Sequence, residues 1–353
     1  MFDVTVIGPA VIDILASPVD LDAIAAGSRD LDRIRMSFGG DALNEAVALS
    51  RLGRKVRLIS KVGDDVAGRR ILSYMEENGI PTDDVRVQEG LDTAINIALI
   101  EKDGNRKFLM NPHSSLRRLS LEDVLPLVDG MSEIVSFASM FISPLFTVRK
   151  MEELFSLIKK SGRRLVVDVT RAKNGETIET IRPLLPYMDV FVPNDEEIAS
   201  LTGVQDVQQN VRMLVEAGVG TAVVKAGKKG CLVGFREPES SQASLNHKDQ
   251  SSRNQGSGTD ETAPEKGGSG QIRILHVPSV PDLTCVDTTG AGDCFAAGFI
   301  NGMCGGLSTE ECARMGCAAA SCSIEEMGAV DGVRDLAQVM KRYSMVGPVE
   351  HLF

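Results

Sequence analysis

Tryptophan is absent from the 353-residue chain, and aromatic residues make up only 4% of it. The 43% hydrophobic content therefore describes an aliphatic core, and one large enough for a sizeable fold. Basic residues are in deficit, 38 against 49 acidic ones, for a net charge of −11. That balance excludes the basic surface that a nucleic-acid or anionic-membrane binder needs. It leaves room for an anionic small molecule, because a single pocket can be locally positive. No apolar run reaches the roughly 18 residues of a membrane-spanning helix. The opening "FDVTVIG" reads as a strand and lacks the basic region and cleavage site of a secretory signal, so a cytoplasmic protein is expected. The 4 histidines, His113, His247, His276 and His351, are dispersed. The 7 cysteines contain no C-x-x-C pair. Cys312, Cys317 and Cys322 recur at a five-residue interval, which scatters them around a helix. They read as small buried hydrophobes in a reducing compartment rather than as metal ligands.

Short β-branched runs alternate with helical patterns. Strands are expected at 4–7, 56–60, 134–142, 165–168, 190–192, 222–225 and 231–234. Helices are expected at 42–52, 68–78, 149–160 and 207–217. The alternation predicts an α/β fold with a mostly parallel sheet and helices on both faces, in one domain spanning the chain. In such sheets ligands bind beyond the carboxyl ends of the strands. Two stretches break the pattern. Residues 93–111 read as two strands joined by a turn at 103–104, and residues 15–36 are irregular. Paired, they would form a small β lid from about 14–37 and 90–112, which either excludes water from a reaction site or decorates the surface. Residues 237–271 are rich in Ser, Gly, Gln and Glu and read as a disordered insertion between two strands.

Several stretches can carry chemistry. In "DTTGAGDCFAAGFI", residues 287–300, Gly290, Ala291 and Gly292 open a nearly all-apolar helix. A helix start has unpaired N–H donors and partial positive charge, and small residues let an anion come close. Asp293 follows in the first turn. It either caps a buried helix or accepts a proton from an attacking hydroxyl. The stretch is no dinucleotide fingerprint, since the third glycine is missing, and no P-loop lysine motif occurs. In "FGGDALNEAVALSRLG", residues 38–53, Gly39 and Gly40 precede a helix whose Asn44 has both a donor and an acceptor. Asn44 suits a polyhydroxylated ligand or is incidental to a helix start. Asp13, expected just past the first strand, either accepts hydroxyl hydrogen bonds or forms a turn. In "VPNDEEIASLTG", residues 192–203, Asn194 and Glu197 can hold the water ligands of Mg²⁺ or merely begin a helix. In "VVKAGKKGCLV", residues 223–233, the glycines of a strand–turn–strand unit can pass close to a nucleotide.

Taken in this order, the stretches resemble the ribokinase-like (PfkB-type) carbohydrate kinases over nearly the whole chain. D-T-x-G-A-G-D is matched by residues 287–293, G-G-x-x-x-N by Gly39, Gly40 and Asn44, and N-x-x-E by Asn194 and Glu197. The resemblance implies a three-layer sandwich with a small β lid and an ATP-dependent kinase. It implies Asp293 as general base, with the backbone of Gly290, Ala291, Gly292 and Asp293 as the anion hole. Asp13, Gly39, Gly40 and Asn44 would bind the sugar. Lys225, Gly227 and Gly230 would border the nucleotide, and Asn194 and Glu197 would organise Mg²⁺. Asp287, with main-chain oxygens such as that of Thr289, resembles a K⁺ site, and lids of this family pair across homodimers. Two departures bear on the acceptor. Ile142 stands where ribokinases carry a sugar-binding glutamate before Ser143 and Pro144, which weakens ribose. Asp41 stands where a lysine is usual, which disfavours a phosphorylated sugar. The expected acceptor is a hydroxymethyl group of an unphosphorylated sugar. A nucleoside kinase is the alternative, since "GGDALNEA" also resembles nucleoside-kinase forms of the motif. A non-catalytic sugar or nucleotide sensor on the same fold is a further one.

Overall fold

The computed structural model describes residues 1–20, 30–101, 106–237 and 270–352. Strands β1 (Val4–Ile7), β4 (Val56–Gly63), β5 (Val85–Gln88), β8 (Ile134–Met140), β9 (Arg164–Val169), β10 (Val190–Phe191), β11 (Thr221–Lys225), β12 (Cys231–Arg236), β13 (Ile272–Val277) and β14 (Glu350–Leu352) form one sheet. Their order is β14-β13-β12-β11-β10-β9-β8-β1-β4-β5. Pairing is parallel from β5 through β11 and antiparallel across β12, β13 and β14. The mostly parallel sheet is as the alternation predicts.

Both faces of the parallel part are covered, so its strands are apolar on both sides. On one face Val4, Val6 and Ala138 pack with Ala46, Leu49 and Phe299. On the other, Ile7, Val135 and Val167 pack with Phe155 and Leu214. The helices that supply these layers are α1 (Asp41–Arg51), α2 (Val66–Glu77), α3 (Val148–Lys160), α4 (Asp195–Thr202), α5 (Val207–Glu216), α6 (Ala291–Cys304), α7 (Thr309–Ser323) and α8 (Leu336–Tyr343). The expected helices at 42–52, 68–78, 149–160 and 207–217 correspond to α1, α2, α3 and α5.

The two irregular stretches pair with each other. Strands β2 (Val11–Val19), β3 (Arg33–Gly39), β6 (Ile95–Glu101) and β7 (Arg106–Met110) make a second sheet in the order β3-β2-β6-β7. Its two hairpins join through a parallel β2–β6 pair. Residues 15–36 are thus more regular than their composition indicates, with extended backbone at both ends. The turn at 103–104 lies outside the described residues. So does nearly all of the 237–271 stretch, although β12 and β13 on either side pair as an antiparallel hairpin.

Three differences from the sequence reading have local causes. Asp13 does not follow the first strand; it lies inside β2, because the chain turns at residues 8–10 and extends again. The strand expected at 134–142 ends at Met140, where Ser139 and Phe141 take φ of 61° and 79° and the register against β9 shifts. Strands β5 and β14 are short edge strands with too few apolar residues to signal themselves.

Helices α6 and α7 pack closely because small residues face each other. A Cβ on Gly298 would lie 2.6 Å from the Met315 carbonyl oxygen and 2.8 Å from Ala319 Cβ. Alanine there gains about 1 kcal/mol of helix propensity, but overpacking a rigid interface costs about 1–3 kcal/mol. Gly298→Ala is therefore expected to lower the Tm by several degrees, read by thermal unfolding. An unchanged or higher Tm would mean that the helices separate freely.

Candidate active site at the carboxyl ends of the strands

Among the described residues, eight helices have eight or more residues. Six begin with a side-chain cap, from Asp65, Thr147, Asn194, Asp206, Ser308 and Asp335. The two without one are α1, behind Gly40, and α6, behind Gly290. No side-chain cap satisfies their first-turn N–H groups, although the Leu43 N–H donates to the Pro9 carbonyl and the Ala291 N–H to that of Thr288, each at 3.3 Å. Gly290 sits at φ 71°, and a Cβ there would lie 2.3 Å from the Ala329 carbonyl oxygen, so glycine is required.

The two uncapped helices meet. Asn44 Nδ2 on α1 donates to Asp293 Oδ2 on α6 at 2.7 Å, across 249 residues of sequence. Asp293 is 9% exposed. Burial pushes its carboxyl well above the usual carboxylate range; the charges of Asp41 and Asp168 push the same way, while Asn44 and Lys225 oppose. The smaller sheet brings Asp13 to the same helix start. Its Oδ2 would lie 2.1 Å from a Cβ on Gly39, so Gly39 is bare because Asp13 needs the space. Asp13 Oδ1 accepts from Asn96 Nδ2 at 2.9 Å. Burial raises its pKa, Asn96 lowers it and Asp41 raises it.

Asp41, the first residue of α1, accepts a short hydrogen bond from Ser139 Oγ. The strained Ser139 backbone at the end of β8 thus holds an acid near Asp13 and Asp293. Deeper on α1, Glu45 is fully buried and accepts from Ser136 Oγ at 2.6 Å. Burial, with Asp168 and Asp293 nearby, raises it far above the ordinary glutamate range.

A second part of the site lies one step along the sheet. Lys225 ends β11, and its Nζ donates to Asp168 Oδ2 on β9 at 2.7 Å. Burial would lower the Lys225 pKa, but Asp168 and Glu197 overturn that and the net shift is upward, so the side chain stays cationic. Lys225 lines a cavity of about 520 Å³ with Gly227, Gly230, Ala291 and Gly292. Val280, Leu283, Phe295 and Ile324 supply apolar wall. Asn194 forms an isolated bridge with Lys225 and caps α4. Asn194 Oδ1 accepts from the Glu197 N–H and Glu197 Oε2 accepts from the Asn194 N–H, each at 2.8 Å. Burial raises the Glu197 pKa to about 7, with Lys225 pulling down and Asp168 pushing up.

The N-x-x-E stretch therefore begins a helix, the second of its two readings. The pair is a capping box, and its cap uses one oxygen of each side chain. Asp287 is 4% exposed; its Oδ1 accepts from the Thr289 N–H at 2.8 Å and its Oδ2 from the Gly328 N–H at 3.2 Å. Among the described residues no three His, Cys, Asp or Glu side chains converge as a metal cage. A cation here fits only a site completed by water, phosphate or main-chain oxygens, the pattern usual for Mg²⁺.

The structure thus draws Asp13, Gly39, Gly40, Asn44 and Asp293 together on one side. Lys225, Gly227, Gly230, Ala291 and Gly292 gather on the other, with Asn194 and Glu197 beside Lys225. Asp287 and Thr289 stand just ahead of α6. Sequence reasoning missed Asp168, Glu45 and the apolar wall at 280–283. An Asp one residue before the end of the strand run "RLVVDV" was the available signal for Asp168; nothing marked the wall residues.

The description "pfkB family carbohydrate kinase" matches residues 1–246 and 271–336. An uncharacterized sugar kinase of Archaeoglobus fulgidus is 27% identical over 303 residues, 81% of this chain and 98% of its own. A 2-dehydro-3-deoxygluconokinase of Haemophilus influenzae is 26% identical over 309 residues, 83% of this chain and 88% of its own. The structure of Arabidopsis thaliana ribokinase complexed with ribose and ATP superposes with a TM-score of 0.71 at 22% identity, covering 97% of this chain and 98% of that one. The uncapped helix starts, the buried Asp293 and the small four-stranded sheet are therefore those of a protein that belongs to the pfkB family of carbohydrate kinases.

Proposed function

We propose that this carbohydrate kinase transfers the terminal phosphoryl group of ATP to a hydroxymethyl group of an unphosphorylated sugar. The observation that carries the reading is the 2.7 Å contact between Asn44 and Asp293. It sets the Asn44 amide against a buried carboxylate at the head of an uncapped helix. In this reading Asp13, Gly39, Gly40 and Asn44 hold the acceptor hydroxyls. Asp293 takes the proton of the attacking hydroxyl. The N–H groups of residues 290–293 receive the transferring group, for which positioning and charge stabilisation supply most of the catalysis. Lys225, Gly227 and Gly230 border the nucleotide.

Glu197 and Asn194 would hold Mg²⁺ through water, and Asp287 with main-chain oxygens near Thr289 would hold K⁺. The divalent ion would neutralise phosphate charge. The small sheet closes over the acceptor as a lid and excludes water. Its outward Ile34, Met36, Ile97 and Leu109, which share one face by register, are 38–69% exposed and support pairing of two lids in a homodimer. No helix among the described residues is long and apolar enough to cross a membrane. With unpaired cysteines throughout, a reducing cytoplasm suits the chain.

Asp41 sharpens the acceptor. It raises the pKa of both Asp13 and Asp293, so its charge reaches the space between them. A phosphorylated sugar would meet it as a like charge. ADP formation across a panel of sugars, sugar phosphates and nucleosides tests the reading. An unphosphorylated sugar is expected to give the largest kcat/KM. Nucleosides leading the panel would favour the nucleoside-kinase alternative, and no ADP formation with any acceptor would favour a sensor.

The pH dependence has a definite sign. Asp293 acts as a base only when ionised, and its pKa in the unliganded site lies above the usual range. Hence kcat/KM should fall as pH drops, with an acid limb above ordinary aspartate values. A profile flat down to about pH 4, the ordinary aspartate range, would contradict it.

A further inference from the structure

Lys225 and Asp168 form a nearly buried ion pair at the heart of the site, with side chains 12% and 6% exposed. They come from β11 and β9, with β10 between them, so the pair bridges two strands at their carboxyl ends. A Cβ on Gly292 would lie 3.2 Å from Lys225 Nζ. The ammonium therefore stands beside the first turn of α6. That is an unfavourable place for a cation, because the helix start already carries partial positive charge. Asp168 offsets the conflict in the free protein. An anion placed between the ammonium and the helix start would satisfy both. Gly292 and Lys225 line the same cavity, so an anion in it can reach both from the cavity side.

We propose that Lys225 is a catalytic residue whose ammonium stabilises the charge on the transferring phosphoryl group, and that Asp168 is a positioning residue that holds the ammonium in place. The inference rests on the kinase reading above. In the step, the bond between the terminal phosphorus of the nucleoside triphosphate and its bridging oxygen breaks. The electron pair leaves with the diphosphate. The acceptor oxygen bonds to that phosphorus and its proton passes to Asp293. Lys225 keeps its proton throughout and contributes charge and hydrogen bonds only. Asp168 contacts neither reactant and acts through Lys225.

Four variants of the full chain test this: Lys225→Met, Lys225→Arg, Asp168→Asn and the double variant Lys225→Met with Asp168→Asn. The readouts are kcat, KM, and Kd for ADP and for the non-hydrolysable β,γ-imido analogue of ATP. Loss of one preorganised donor at a transition state costs about 10²–10³ in kcat. Lys225→Met should show that loss. Its ADP affinity should stay within about threefold, and its analogue affinity should fall by at least about tenfold, of the order lost with one charge-assisted contact. Lys225→Arg should recover part of kcat. Asp168→Asn should lower kcat in the wild-type background and change little in the Lys225→Met background, because its effect passes through Lys225.

Lys225→Met alone leaves Asp168 buried and unpaired and can fail to fold. The double variant removes both charges and keeps the measurement possible. The proposal is overturned if kcat of the folded double variant stays near wild type. Equal weakening of ADP and analogue would also overturn it, as would additive effects of the two substitutions. A wild-type protein that gives no ADP with any acceptor would instead sink the kinase reading. The triphosphate-over-diphosphate preference would still judge Lys225 in that case.

Discussion

Asp293→Asn should lower kcat by about 10³, within the 10²–10⁴ range for a positioned base, while acceptor Kd changes only a fewfold. The substitution is isosteric. An asparagine oxygen at that position can still accept from Asn44 Nδ2, so the 2.7 Å link between α1 and α6 is retained. What disappears is the ability to accept the hydroxyl proton. A second consequence separates this from a folding defect. The folded-state pKa of Asp293 is raised, chiefly by burial, so folding favours its protonated form. That part of the stability is present below the unfolded pKa and is lost as pH rises through the folded one. Asparagine cannot ionise and loses nothing. At about pH 8 the variant should melt at or above the wild-type temperature, and the gap should close in acid. A variant that melts much lower at neutral pH would mean that Asp293 is chiefly a structural cap.

Gly292→Ala is expected to have the next largest effect, a fall in kcat of about 10²–10³ with stability unchanged or improved. The magnitude is that of losing one anion-hole donor. The reason it should fold is local. A Cβ at position 292 meets only the Lys225 side chain, with Nζ at 3.2 Å and Cε at 3.8 Å, and the ammonium on Asp168 need give by only a few tenths of an ångström. Helix propensity favours alanine by about 1 kcal/mol. The methyl group would instead occupy the approach to the N–H groups at the head of α6. Gly290→Ala cannot make the same point, because its Cβ would strike the Ala329 carbonyl oxygen at 2.3 Å and its φ is 71°. Steady-state kinetics and a thermal melt on Gly292→Ala decide the matter. Full activity in a stable variant would place the phosphoryl group elsewhere.

Much of this architecture was legible in the residues. The alternation of β-branched runs with helical spacing reports burial on both faces of a parallel sheet, and Val4, Val6 and Ile7 divide between the two cores as that implies. Gly39, Gly40, Gly290 and Gly292 were legible as glycines at helix starts; that Asp13 Oδ2, the Pro9 carbonyl and the Ala329 carbonyl leave no room for a Cβ at 39, 40 and 290 was not. Long-range pairing was not legible. Nothing local in "VVDV" or "VVK" says that Asp168 and Lys225 meet across an intervening strand. Asp13 was placed at the wrong kind of position, since a turn at residues 8–10 and a strand end look alike in sequence. Glu45 follows Asn44 in a helix, and nothing in its neighbours marks it as buried. Only packing against β8 and α6 makes it a buried acid.

The central claim is phosphoryl transfer to a primary hydroxyl, and ³¹P NMR of the protein with MgATP and the best acceptor tests it most directly. The account predicts that the terminal phosphate signal of ATP is replaced by that of a phosphomonoester, split as a triplet by the two protons of a CH₂–O group. ADP should form in equal amount, and neither signal should grow without acceptor. Inorganic phosphate in place of the ester, or an ester split by a single proton, would contradict it.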